Sequence, residues 1–371
     1  MSGKGIHHTS VYDDPRIDPR IKLMFRGFET PHYSKQVQYE TREELIQAAN
    51  RAPSYPVQQL AATAPPAPPE VKALWSKQGL DIRDVHITSQ PDQNSIKMRF
   101  TRRSDLDGAL PLVYYIHGGG MASGSIDDPM YKCLDRMLAK HFDVAVMMVD
   151  FRNSTTPSST PELAPFPGGL NDCYSGLGWV HDHADELGID PARVCVAGES
   201  GGGNLAIATA LKALQEGSQE RLLPKGFFAL CPFIAGEWPQ EATHQGALGD
   251  SHLDSVNNGL FLSLGGGNAA LAYGQDALDR KDILAWPGFA PPDDLRGLCR
   301  CVISVNECDP LRDEGIAFYR TALSAGVDAR CRQVMGTVHG GDLMMSVVPS
   351  LAMDTLRCIA DFVESDSFPS S

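Results

Sequence analysis

The chain has 371 residues, 42% of them hydrophobic, and its 46 acidic side chains outnumber 32 basic ones for a formal net charge of −14. This is enough apolar material for one large core with insertions, and the acidic excess argues against nucleic acid or an anionic membrane as partner. No apolar run approaches the ~18 residues of a membrane-spanning helix. Met1 to His8 lacks a signal peptide's apolar stretch, and nine scattered cysteines without a C-x-x-C pair suit a reducing, cytoplasmic setting.

In chain order, residues 39–50 have helical composition, with Thr41 as cap and Glu44 three residues later. Residues 64–69, Ala-Pro-Pro-Ala-Pro-Pro, read as a stiff connector. Runs at 84–88 and 96–101 read as an antiparallel edge pair. Strands then fall at 112–116, 144–149, 193–197, 226–231, 301–305 and 329–334. Helical patterns lie near 128–140, 169–187, 203–216, 312–325 and 351–363. This alternation predicts an α/β fold, with a mostly parallel sheet covered by helices on both faces. Residues 232–290, rich in glycine and aromatics, interrupt it, and there is no internal repeat.

Two glycine-rich segments sit at strand ends. Gly198-Glu199-Ser200-Gly201-Gly202 is the single G-x-S-x-G of the chain, placed between a strand and a helix. Flanking glycines permit a sharp turn that lifts a serine hydroxyl clear of the sheet. The helix start also aims free N–H groups at charge forming beside it. Upstream, His117-Gly118-Gly119-Gly120-Met121 follows a strand and leaves backbone N–H groups bare of side chains. Acyl transfer requires such donors where a carbonyl oxygen becomes an oxyanion.

An acid and a base are expected further along. Asp309 lies just past a late strand, and Pro310 keeps it out of helical geometry. Glu307 and Asp313 are its rivals. His339, in a small-residue loop after the next strand, is the candidate base. Histidine takes a serine proton near neutral pH, and a carboxylate fixes the imidazole tautomer. Cys308 lacks an elbow and a helix start, so it is set aside as a nucleophile. His181 and His183, two apart on a helix, do not share a face. Gly265-Gly266-Gly267 lacks the phosphate-loop pattern. No metal and no cofactor are expected.

These segments, with Val149-Asp150-Phe151-Arg152-Asn153 and Asp309-Pro310-Leu311-Arg312-Asp313-Glu314-Gly315, resemble the hormone-sensitive-lipase-like branch of the α/β-hydrolases from about residue 80 onward. The resemblance implies a carboxylic-ester or lactone hydrolase with Ser200, Asp309 and His339 as triad. It implies oxyanion donors at Gly119, Gly120 and Gly201, and a scaffold role for Asp150 and Arg152. It also implies a cap built from residues 1–80 and the 232–290 insertion, over a catalytic domain at 81–371. Met121, Phe233, Trp238 and Phe261 are the candidate substrate-pocket residues. Glutamate at 199 departs from the aspartate commoner in the family. The expected partner is a small-molecule ester, and the oligomeric state is open between monomer and homodimer. A small-molecule binding protein, or an acyltransferase, on the same fold is the alternative. Binding proteins of this branch lack the histidine that this chain has at 339.

Overall fold

The alternation along Leu110–Ile116 explains the architecture. Leu112, Tyr114 and Ile116 enter one apolar cluster while Val113 and Tyr115 enter another. A strand whose two faces are both covered reads as continuously apolar. This strand is β3 of a computed structural model that describes residues 14–25, 37–51, 67–238, 251, 262, 264 and 268–365. The others are β1 Leu80–Thr88, β2 Ser95–Arg103, β4 Ala145–Asp150, β5 Ile189–Glu199, β6 Phe227–Leu230, β7 Cys301–Cys308 and β8 Ala329–Val338. The sheet order is β1-β2-β4-β3-β5-β6-β7-β8. β1 with β2 and β2 with β4 are antiparallel, and every later pairing is parallel. The expected antiparallel edge on a mostly parallel sheet is therefore the observed one.

Helices Gly168–Asp182 and Gly201–Gln215 cover one face through Leu170, Leu177, Leu205 and Ile207. Helices Pro129–His141 and Pro349–Glu364 cover the other through Leu134, Leu138, Leu356 and Ile359. Two details differ from the sequence reading. The helix expected over 169–187 is two helices, Gly168–Asp182 and Ala184–Leu187, because His183 leaves helical geometry and its Nδ1 meets Trp179 O at 2.9 Å. β5, β7 and β8 run past their apolar stretches. In β7 the ladder continues through polar Asn306 to Cys308, across an irregularity.

The N-terminal part is bound to the sheet at one end. Ile17, Ile21 and Phe25 form a cluster with Cys308, Val338 and Val348. The Asp18 N–H donates to Gly336 O at 2.9 Å. In the helix Arg42–Arg51, Thr41 Oγ1 accepts from Glu44 N at 3.2 Å, the expected cap. Its Arg42 reaches Ala272 O, at 3.3 Å, and Ser154 O. Residues 64–66 of the proline connector and Gly265 to Gly267 lie outside the described residues.

Candidate active site

Because β3, β5, β7 and β8 are parallel, their C-terminal ends open onto one edge, and the four candidate segments follow those ends. Ser200 leaves β5 at φ 57°, ψ −118°, a strained backbone for a residue with a side chain. The bend fits only beside glycines. A Cβ on Gly198 would lie 2.4 Å from Gly202 O, and one on Gly202 would lie 2.1 Å from Ile116 O. Ser200 N donates to Leu230 O at 2.9 Å, and Ser200 O accepts from Phe233 N at 3.1 Å. The elbow is thus held between its own helix and the end of β6.

His339 and Asp309 meet the serine here. His339 Nε2 lies 2.9 Å from Ser200 Oγ, and Nδ1 lies 2.9 Å from Asp309 Oδ2. A carboxylate only accepts, so Nδ1 carries the proton and the neutral ring's Nε2 accepts from the serine hydroxyl. Asp309 is fully buried, and its Oδ1 accepts from Leu311 N at 2.9 Å. Burial disfavours charge on His339, the adjacent Asp309 carboxylate and Cys231 favour it, and the balance holds the imidazole above the ordinary histidine range. The rival acids are engaged elsewhere. Glu307 Oε2 accepts from Gly336 N at 2.8 Å, and Asp313 accepts from Ser251 N and from Arg312 Nε.

On the other side of Ser200 lies the His117–Gly120 loop. Gly119 (φ 106°) and Gly120 (φ 64°) adopt left-handed backbone. At Gly119 a Cβ would fall 2.0 Å from Ser123 O. The loop closes against the helix start, so that a Cβ on Gly201 would lie 2.7 Å from Gly120 N. Among the described residues, no backbone acceptor takes up the N–H of Gly119, Gly120 or Gly201. His117 itself is buried, stacks on Phe151 with ring centroids 4.2 Å apart, and burial keeps it neutral. Asp150 accepts from Ile126 N and Ser159 N, and Arg152 pairs with Asp172 and Asp92, so both brace the loops around the site.

Of the candidate pocket residues, Met121 is buried at φ 57° in the turn after the glycines. Phe233 stacks on Trp238 at 5.2 Å and meets Trp286 edge-on at 6.0 Å. Phe261 lies outside the described residues. His181 Nε2 meets the backbone oxygen of Leu222, and His183 Nδ1 meets that of Trp179 while its ring stacks on the Trp179 indole at 4.1 Å.

Three acid or thiol groups of the site carry no sequence signal for it. Glu314, in the first turn of the helix Arg312–Ser324, reads as an ordinary helix-start acid. Glu199 reads only as the variable residue of the elbow. Cys231 reads as a core cysteine, yet its Sγ lies within 4.8 Å of ligand-type atoms of Asp309 and His339. Burial pushes the Cys231 thiol up, so it stays protonated. Among the described residues no helix is long and apolar enough to cross a membrane.

Comparison with known proteins identifies the fold and the family. The α/β hydrolase fold family matches residues 113–342. Carboxylesterase NlhH of Mycobacterium tuberculosis (strain CDC 1551 / Oshkosh) is 33% identical over 258 residues, covering 68% of this chain and 72% of that protein. The solved structure of esterase Est22 is 46% identical, covers 96% of this chain and 99% of its own, and superposes with a TM-score of 0.84. Brefeldin A esterase, described as a bacterial homologue of human hormone sensitive lipase, is 33% identical over 96% of this chain and 95% of its own, at a TM-score of 0.83. The chain belongs to the α/β-hydrolase family, in its hormone-sensitive-lipase-like branch.

Proposed function

We propose that this chain hydrolyses carboxylic esters through an acyl-enzyme on Ser200, with His339 as base, Asp309 as its orienting acid, and Gly119, Gly120 and Gly201 as oxyanion donors. The observation that carries this reading is the hydrogen-bonded series from Ser200 Oγ through His339 to Asp309, at a strained elbow. Kinship with proteins named carboxylesterase and esterase supports the ester as substrate.

The residues then act in sequence. His339 Nε2 takes the Ser200 proton as Oγ adds to the carbonyl carbon, and the carbonyl π electrons move onto the oxygen. That oxyanion meets the loop and helix-start N–H groups. Asp309 stabilises the imidazolium without taking its proton. The tetrahedral species collapses, the alkoxide leaves with the proton from His339, and Ser200 stays acylated. Water repeats the cycle, with His339 as base again, and releases the acid.

The helix Arg42–Arg51, touching Ala272 and Ser154, supports a cap made of the N-terminal segment and the insertion. Phe233 and Trp238 are its aromatic wall beside the serine. Kinship with a protein named for brefeldin A favours an ester or lactone of moderate size. Five of the nine unpaired cysteines are buried thiols, which suits a reducing compartment.

The deciding experiment is turnover of p-nitrophenyl acetate by Ser200→Ala, expected to fall ~10⁴-fold or more, alongside inactivation of the wild type by a serine-directed phosphonate. A folded Ser200→Ala protein that keeps substantial turnover would overturn the reading.

A further inference from the structure

Glu199 is the last residue of β5, yet its side chain meets the glycine loop. Oε1 accepts from Gly118 N at 2.7 Å and from the Tyr131 hydroxyl at 2.5 Å, and Oε2 accepts from the Tyr115 hydroxyl at 2.5 Å. The Tyr131 oxygen also accepts from Gly118 N at 2.9 Å. Glu199 is 4% exposed. Its burial raises the pKa, while these donors favour the carboxylate. Such charge-assisted bonds are short and directional. The contact is also steric, since a Cβ on Gly118 would lie 2.7 Å from Oε1. Tyr115 stands on β3 and Tyr131 on the helix Pro129–His141. One carboxylate therefore fastens the loop, β3, that helix and the strand end before Ser200.

We propose that Glu199 is the positioning residue of the oxyanion site: its carboxylate pins Gly118 and so sets where the Gly119 and Gly120 N–H groups point relative to Ser200. This rests on the esterase reading above. The left-handed bends at Gly119 and Gly120 hang directly on Gly118, and on their far side Gly119 O accepts from Ala122 N, Ser123 N and Ser123 Oγ. Displacing catalytic groups by ~1 Å can cost ~100-fold in rate, so holding this backbone is worth a buried acid. The residue type follows from reach. Aspartate, shorter by one methylene, draws the carboxylate back toward β5 and away from Gly118 N and the two hydroxyls. Glutamine keeps Oε1 toward Gly118 and Tyr131, and the Tyr115 hydroxyl can turn to accept from its amide.

The test compares Glu199→Asp, Glu199→Ala and Glu199→Gln with the wild type and with Ser200→Ala. It measures kcat and KM for p-nitrophenyl acetate, and affinity for a trifluoromethyl ketone. With that ketone, Ser200 Oγ adds to the carbonyl carbon, its proton passes to His339, and the new alkoxide faces the loop N–H groups. Glu199→Asp and Glu199→Ala should lower kcat ~10- to 100-fold with KM within ~3-fold, since donors are misplaced and not removed. Ketone affinity should fall in parallel, and Glu199→Gln should recover most of both. A merely structural role would lower the melting temperature and leave kcat and ketone affinity of the folded protein unchanged, which overturns the proposal. So would a fall in kcat without weaker ketone binding. If the shortened variants do not fold, Tyr131→Phe removes one donor to Oε1, and should show the same parallel loss at ~3- to 10-fold; no such loss overturns the proposal. Ser200→Ala separates the two readings. If it abolishes turnover while Glu199→Asp is fully active, only this inference fails; if it retains turnover, both fail.

Discussion

The indole of Trp238 donates to Glu314 Oε2 at 2.5 Å, and the other oxygen of that buried carboxylate accepts from Ile234 N at 2.7 Å and Ala235 N at 3.2 Å. Trp238 stacks on Phe233, whose N–H bonds to Ser200 O. An acid outside the proposed triad thus braces the segment that leads out of β6, and holds Trp238 against Phe233, the residue whose backbone meets Ser200.

Glu314 gives a stability prediction with a definite sign. Burial pushes its carboxyl up to about 8 from an ordinary value of 4.5. The folded state then binds this proton more tightly than the unfolded chain. The stabilisation is complete below the unfolded value and is lost as pH rises through about 8. Glu314→Gln lacks this titration. The wild-type melting temperature should therefore drop more steeply between roughly pH 5 and pH 9 than that of the variant. Glu314→Gln should also shift acyl-chain preference, because its amide sets N–H against donor N–H groups at one of the three contacts. Parallel melting curves across that range would remove Glu314 as a titrating brace.

Asp309 and Glu307 separate by partner. Asp309→Asn should lower kcat ~10³- to 10⁴-fold, because an amide favours the wrong imidazole tautomer. Glu307→Gln should stay within ~3-fold, its side chain facing Gly336 N and not His339. The acid limb of the rate profile tests the same pair. His339 works as the neutral ring, so rate is lost as pH falls through its pKa. Asp309 holds that pKa above the ordinary 6.5. The limb should be centred above that value in the wild type and move lower in the residual activity of Asp309→Asn. A limb that stays in place, or a larger loss from Glu307→Gln, would shift the acid's role away from Asp309.

Much of this arrangement was legible because strand periodicity and glycine motifs report backbone geometry directly. The apolar runs at 112–116 and 193–197 placed β3 and β5, and the glycines at 198, 201 and 202 located the elbow, since a Cβ at any of them would collide with backbone. Strand ends were less legible. Asn306 continues β7 although its polarity hides it, because its backbone pairs with Val334 of β8 whatever the side chain does, and Glu307 falls in the irregularity before Cys308 pairs with Val338. Least legible were contacts made by side chains distant in sequence. Glu199 meets Tyr115 and Tyr131 across 84 and 68 residues, and Glu314 meets Trp238 across 76. Each acid looks unremarkable locally, and only the fold supplies its donors. The helix break at His183 was missed for a related reason: a ring nitrogen meeting the Trp179 carbonyl leaves the hydrophobic pattern unchanged.

The N-terminal segment offers the last prediction. Ile21 is fully buried between Ile17, Phe25, Cys308, Val338 and Val348. Cys308 and Val338 immediately precede Asp309 and His339. The segment therefore braces the two strand ends that carry the proposed acid and base, in addition to any part it plays in a cap. Deleting residues 1–40 should leave the far-UV circular dichroism of the sheet intact, since its strands begin at Leu80. Turnover of even a small activated acetate should fall, because the His339 loop loses its support from Asp18 N on Gly336 O and from the apolar cluster. Acyl-chain preference should broaden as the wall opens. Ile21→Ala should act in the same direction more weakly, removing ~2–4 kcal/mol of docking energy while keeping the chain covalently whole. Matched kcat and acyl selectivity in the truncated, folded protein would show that the segment rests on the strand ends without holding them. Loss of the far-UV signal would instead make it part of the core, and a domain boundary at residue 80 would be untenable.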